Sequence, residues 1–329
     1  MATYWAEHAQ QLKQDLAAAL PIEELRRLHD KRPWLHALVA FANFAALAVS
    51  AVAIVHFDRW YYWLPFAFLA GFAVFDFTVL LHEVVHRAVL PVSSERAYRF
   101  LGLLYAMPSG ISASQFTRWH LDHHAGLGSY EEDPKRHYLS PKKNARWLKA
   151  LYFTPALFPI YFRAAKKETI SYEPELKKTI SRERNATIVF QLAILAAIAI
   201  IGGPWIAFKL YVVPIFFVFP IAFALNRLGQ HYDINPDDPA EWSTLVKGSW
   251  FWDAIYLFSN YHLEHHYFPG VPFYNLPRLQ KLLMPFYEKR GIAAHGYGDL
   301  LWNWLVLNRK PHSDWEEAPQ TPVILSAGG

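Results

Sequence analysis

Four apolar stretches constrain this chain more than anything else in it: residues 34–57, 61–81, 186–206 and 210–225. Crossing a bilayer takes about 20 apolar residues. Inside the hydrocarbon the backbone must satisfy its own hydrogen bonds, as a helix or a closed barrel. No charge interrupts Ala37 to Val55, and only Asp58-Arg59-Trp60 separates the first pair of stretches. Gly202, Gly203, Pro204 and a single Lys209 mark the turn between the second pair. The expected class is an all-α integral membrane protein with four transmembrane helices.

An up-and-down path then sorts the remaining segments. Residues 1–33, 82–185 and 226–310 fall on one side and hold nearly all the Lys and Arg, whereas the two short outer connections hold almost none. That is the positive-inside pattern, with both termini cytoplasmic. The first 33 residues carry Glu7, Lys13, Asp15, Glu23, Glu24, Arg26 and Arg27 before any long apolar run. They read as one or two interfacial helices and lack the pattern of a signal peptide. Residues 82–185 contain apolar pieces broken by Pro108, Pro155 and Pro159, which suit helices lying in the headgroup plane. Together with 226–310 they form a cytoplasmic helical cap, and 311–329 reads as a disordered tail. No repeat or low-complexity linker divides the chain, so 1–329 is expected to be one domain. Asp76, inside the second span, is costly at membrane depth, and is either functional or paired.

The cap is where the chemistry collects. His82-Glu-Val-Val-His86 directly follows the second span. His120-Leu-Asp-His123-His124 lies in the middle of the cap, and His262-Leu-Glu-His265-His266 lies in its last part. His231 follows the fourth span as the first cluster follows the second. Helical neighbours at i and i+4 sit about 40° apart and those at i and i+3 about 60° apart, so each cluster presents its rings on one side. With 16 His in 329 residues, chance gives about 0.04 copies of HxxHH. Two copies beside an HxxxH point to a metal centre. Eight such rings exceed one tetrahedral zinc and suit two metals with imidazole ligands. The same-side topology is what allows the clusters to meet.

Composition narrows the chemistry. There is no Cys, which excludes thiolate catalysis, disulfides and cysteine-ligated iron–sulfur clusters. Hydrophobic residues reach 53%, charged residues 18% and aromatics 17%, a membrane profile with many interfacial rings. The net charge of +4 fits anionic headgroups. The basic residues surround apolar spans and form no stripe of their own, so nucleic acid is not an expected partner.

Two rival readings follow from parts of the pattern. His82-Glu83-Val-Val-His86 matches HExxH, in which two His bind zinc and Glu acts as base, as an intramembrane metalloprotease would use it. It leaves the other clusters without a role. A metal transporter would need polar groups in several spans, and these spans offer mainly Asp76 and Asn43. The other histidines (His8, His29, His36, His56, His137, His295 and His312) are scattered and read as packing or surface residues.

HxxxH, HxxHH and HxxHH, in that order around two pairs of spans, resemble the membrane fatty acid desaturase superfamily of the acyl-lipid type. The neighbourhoods Arg118-Trp119-His-Leu-Asp-His-His and Asn260-Tyr261-His-Leu-Glu-His-His-Tyr-Phe-Pro agree, and the likeness runs from about residue 60 to 290. The resemblance implies a non-haem di-iron site in the cap, with O₂ as co-substrate. Its ligands would be His82, His86, His120, His123, His124, His262, His265 and His266, with His231 joining them and Asn226 or Gln230 holding a water. It implies removal of hydrogen from an unactivated methylene of a lipid acyl chain to leave a double bond. Hydroxylation or ketolation on the same scaffold is the alternative. The third cluster begins with His262 rather than Gln, and no haem-binding HPGG is present. Electrons are therefore expected from a separate ferredoxin or b-type cytochrome. Glu83, Asp122 and Glu264 are the carboxylates placed to orient imidazoles; their plainer reading is solvated helix charge.

Overall fold

A computed structural model describes residues 2–92 and 94–312. The predicted tail thus lies almost wholly outside the described residues. Those residues contain helices and no strand, with one isolated parallel bridge between Val246 and His295.

The N-terminal segment folds as three short helices where one or two were expected: α1 (Tyr4–His8), α2 (Gln10–Ala19) and α3 (Ile22–Leu28). The breaks fall at Ala9, whose φ of −96° and ψ of 17° leave the helix, and at the extended Leu20 before Pro21. Ala9, Leu12, Leu16, Leu20 and Leu28 line one face, buried against Leu263, Tyr267, Leu276 and Leu283 of the C-terminal part.

Three helical stretches are long and apolar enough to cross a membrane: Pro33–His56 (α4), Trp60–Val85 (α5) and Pro174–His231. Proline at the start of α4 suits a first turn whose amide is unpaired anyway. The region expected to hold spans three and four is thus one continuous stretch of 58 residues. It is broken internally at Gly203, where φ 81° and ψ 169° are open to glycine and not to a side-chain residue. Pro204 follows, and the chain packs back on itself beyond the break.

Between α5 and that stretch lie α6 (Glu95–Ala106), α7 (Ala113–Ala125), α8 (Arg146–Leu151) and α9 (Leu157–Thr169). Ser94 and Ser112 cap α6 and α7 by accepting from Ala97 and Gln115. The long stretch itself comprises α10 (Pro174–Ala207), a π-helical piece over Phe208–Val218, and α11 (Phe219–His231). Glu183 of α10 accepts from Ser112 and Ser114 at 2.7–2.8 Å, which pins the start of α7 to the span. Beyond α11 come α12 (Trp250–Ile255), α13 (His262–Tyr267), α14 (Leu276–Arg290) and α15 (Tyr297–Leu301).

Lys209 is fully buried just after the Gly203 turn. Its ammonium donates to the carbonyls of Ile54 (2.8 Å) and Phe57 (3.0 Å), the last free acceptors of α4. A cation at a helix C-terminus satisfies both the carbonyls and the dipole. Lys209→Met strands those carbonyls, and the expected cost is about 1–3 kcal/mol. Thermal unfolding in detergent should show a lowered Tm with helix content unchanged.

Candidate metal centre

Four helices deliver the histidines. His82 sits on the last turn of α5 and His86 is the residue that ends it. α7 carries His120, His123 and His124. His231 is the final residue of α11, and α13 carries His262, His265 and His266.

The nine rings come together as two groups. His82, His86, His120, His124 and His265 form one, and His123, His231, His262 and His266 form the other; within each, the ligand atoms lie within 4.8 Å of one another. Helix geometry explains the sorting. In each HxxHH cluster the i, i+4 pair stays together, His120 with His124 and His262 with His266. The middle histidine, about 100° from its neighbour in sequence, turns to the other group. Both clusters on α7 and α13 therefore serve both groups.

The rings face one another closely enough that each group could hold a metal ion. Nε2 of His86 lies 2.8 Å from Nε2 of His120, which lies 2.9 Å from that of His124. In the second group Nε2 of His231 lies 3.1 Å from those of His123 and His262, and His262 lies 3.0 Å from His266. His123 donates its Nδ1–H to Asp133 at 2.7 Å, and His231 donates its Nδ1–H to the Trp242 carbonyl at 3.1 Å. Both Nε2 atoms then carry bare lone pairs aimed at each other. Burial pulls His123 down to about 4 and holds His124, His262, His265 and His266 well below the usual imidazole range. Neutral rings with opposed lone pairs repel unless a cation lies between them. His82 adds a buried Nε2 with no hydrogen-bond partner.

The carboxylate bonded to an imidazole at this centre is Asp133. Besides His123 it accepts from the backbone amides of Lys135 (3.0 Å) and Arg136 (3.2 Å). Lys135 in turn brings its amine to 2.8 Å from Nδ1 of His120. Burial and the neighbouring Arg227 lower Lys135 to about 7. Neither residue belongs to a histidine cluster; the one signal in the sequence is a carboxylate before proline in Glu131-Glu132-Asp133-Pro134, ten residues after His123. The cluster carboxylates sit differently. Glu83 accepts from the Phe273 amide at 3.0 Å and lies 3.5 Å from Nδ1 of His82. Glu264 accepts from Gln280 and Tyr287, and burial raises it to about 7. Asp122 pairs with Arg118 at 2.8 Å. Asn226 donates to Ser259 at 2.6 Å and accepts from Gln230 at 2.7 Å.

A cavity of about 410 Å³ runs to this centre. His82, His120, His262 and His265 line its inner end, beside Asn226, Gln230 and Ser259. Its outer wall includes Phe162, Ile188, Leu192 and Phe216, which are exposed apolar residues of α9 and of the long apolar stretch. The cavity thus joins exposed apolar residues of these helices to the histidines.

The depressed imidazoles make acid a destabiliser. An unfolded histidine takes its proton near pH 6.5, whereas folded His123 resists until about 4. The unfolded state therefore binds more protons in between, and stability falls as pH drops. The protein should lose Tm steadily from about pH 6.5 to 4 in a thermal-unfolding series.

The family described as fatty acid desaturase matches residues 58–298. The chain is 26% identical to the sphingolipid delta(4)-desaturase/C4-monooxygenase DES2 of Homo sapiens, over 91% of this chain and 88% of that one. It is 25% identical to an endoplasmic-reticulum acyl-lipid omega-3 desaturase (cytochrome b5) of Arabidopsis thaliana, over 80% and 73% of the two chains. It is 23% identical to a chloroplastic acyl-lipid omega-3 desaturase (ferredoxin) of the same plant, over 84% and 68%.

Proposed function

This chain belongs to the fatty acid desaturase family, and from that premise we propose that it is a lipid desaturase in which nine histidines hold two irons at the foot of a membrane-facing cavity. The chain is an oxidoreductase acting on lipids. The observation that carries the rest is the placing of two imidazole groups at the inner end of an apolar cavity walled by the long helices. Irons held there would supply, with O₂ and two electrons from a separate ferredoxin or b-type cytochrome, the oxidising power that no side chain has. His82, His86, His120, His124 and His265 would hold one, and His123, His231, His262 and His266 the other.

The protein's own part is binding and orientation. The apolar wall takes the acyl chain out of water and lays one segment of it against the inner end, where position governs which carbon reacts. Asp133 and the Trp242 carbonyl fix the tautomers of His123 and His231. Glu83 and Glu264 hold the metal-bearing segments to Phe273 and to α14. In the membrane, we read residues 1–329 as one domain crossing four times, the Pro174–His231 stretch supplying two crossings about Gly203. The histidines, the cap and both termini lie on the cytoplasmic side. The relatives named both desaturase and C4-monooxygenase bear on a second product, an alcohol from the same site.

Metal analysis of detergent-purified protein, with lipid profiling of an expressing host, tests this reading. About two Fe per chain and a new unsaturated lipid are expected. One tightly held Zn, kept in His123→Ala and lost in His86→Ala, would instead favour the metalloprotease.

A further inference from the structure

An oxidant able to break an unactivated C–H bond also threatens the residues around it whenever no lipid is in place. Excluding competing reactions is part of the protein's task in such sites. The second histidine group is buried throughout, so an oxidising equivalent formed there has no direct way into water. One aromatic path leads outward. His231 donates to the carbonyl of Trp242 at 3.1 Å. The Trp242 ring is 2% exposed and lies so close over Gly128 that a Cβ there would meet it at 2.2 Å. It meets Trp5 at 5.6 Å and Tyr4 at 5.7 Å between ring centroids, and Tyr4 stacks on His8 at 3.9 Å. Tyr4 and Trp5 are half-buried and His8 is exposed, so the path ends at the surface.

The chemistry of the rings sets the direction. Indole and phenol give up an electron at high potential, and biological reductants cannot place one on them. Trp242, Trp5 and Tyr4 are therefore unsuited as stepping stones for incoming electrons and well suited to being oxidised in turn. We propose that these three residues are an exit for oxidising equivalents, protecting the histidine ligands during turnover without lipid; this rests on the redox reading of the site given above. Trp242 gives one electron inward and is refilled from Trp5 or Tyr4. Tyr4, on losing its electron, releases its phenolic proton to water, and a small-molecule thiol then returns a hydrogen atom to the phenoxyl. Two such passes, added to the two electrons from the carrier protein, take one O₂ with four protons to two waters. Two thiols leave as one disulfide.

The test uses iron-loaded full-length protein with a reduced ferredoxin and O₂, in detergent with and without the lipid that it desaturates. Among the described residues the ring partners of Tyr4 and Trp5 are Trp242 and His8, not a cluster histidine, so the double variant Tyr4→Phe/Trp5→Phe should bind iron and desaturate lipid as the parent does. Without lipid, peptide mass spectrometry of the parent should find oxidation on Tyr4 and Trp5, and freeze-quenched samples should show an aromatic radical. In the double variant the oxidation should move to Trp242 and the cluster histidines, with iron lost several-fold faster. Trp242→Phe, which keeps the carbonyl that His231 uses, should shift the damage the same way. Equal iron loss in all three proteins, with histidine oxidation in each and none on Tyr4 or Trp5, would overturn the proposal. A parent that binds no iron or oxidises no lipid removes the oxidant, and with it both this proposal and the reading beneath it.

Discussion

His123→Ala is expected to leave the chain with one metal ion in place of two and to lower desaturation by at least about 100-fold, beyond the 10–100-fold typical of a lost partner outside the ligand set. The loss should be confined to one group because the sorting of rings is strict. His123 belongs with His231, His262 and His266, and five other histidines form the neighbouring group. Removing it also takes the imidazole from Asp133, buried to 3% exposure, and leaves that buried charge with only the amides of Lys135 and Arg136, which is costly. His124→Ala, one residue on, should empty the other group instead. Metal stoichiometry of the two variants, with circular dichroism to show intact helices, decides the matter. If either variant loses both ions with its helices intact, or keeps both, the division into two groups is wrong.

Asp133→Ala should weaken retention of the same ion by about 10–100-fold, the usual effect of removing a carboxylate that orients a metal-bound imidazole. Its Oδ1 gathers His123 and the amides of Lys135 and Arg136, so the substitution frees one ring and loosens the segment that carries Lys135 to His120. Asp133→Asn keeps an acceptor oxygen for the Nδ1–H and should fall between parent and alanine. Competition with a chelator, followed by metal analysis, reads the ranking directly. An alanine variant that holds its metal as tightly as the parent would show that the tautomer of His123 is set by something else.

These residues also show what the sequence carries and what it does not. The apolar stretches and the histidine spacings are local properties, so the α4 and α5 helices and all nine rings were legible. The break in the third stretch was legible as Gly202-Gly203-Pro204, although the helix resumes beyond it without a separate start. The division of the rings into groups of five and four was not legible, since it depends on how α5, α7, α11 and α13 pack. Adjacency in sequence pointed to Glu83, Asp122 and Glu264 as orienting groups; Glu83 comes within 3.5 Å of Nδ1 of His82, unlike Asp122 and Glu264. Each of the latter two is two residues after a ligand histidine, about 200° around the helix, and so faces away from it. Asp122 meets Arg118 there, and Glu264 meets Gln280 and Tyr287. Other contacts to the rings come from Asp133, from Lys135 and from a backbone carbonyl at Trp242. A lone aspartate in a loop and a main-chain oxygen have no periodicity to reveal them.

The exposed apolar wall formed by Phe162, Ile188, Leu192 and Phe216 has a kinetic consequence. On the membrane arrangement proposed above, the cavity mouth would lie among the hydrocarbon tails and the enzyme would sample substrate in two dimensions. Saturation should then follow the mole fraction of substrate in the bilayer. Adding more vesicles of the same composition should leave the rate per enzyme unchanged, while diluting the substrate with an inert lipid in the same vesicles should lower it.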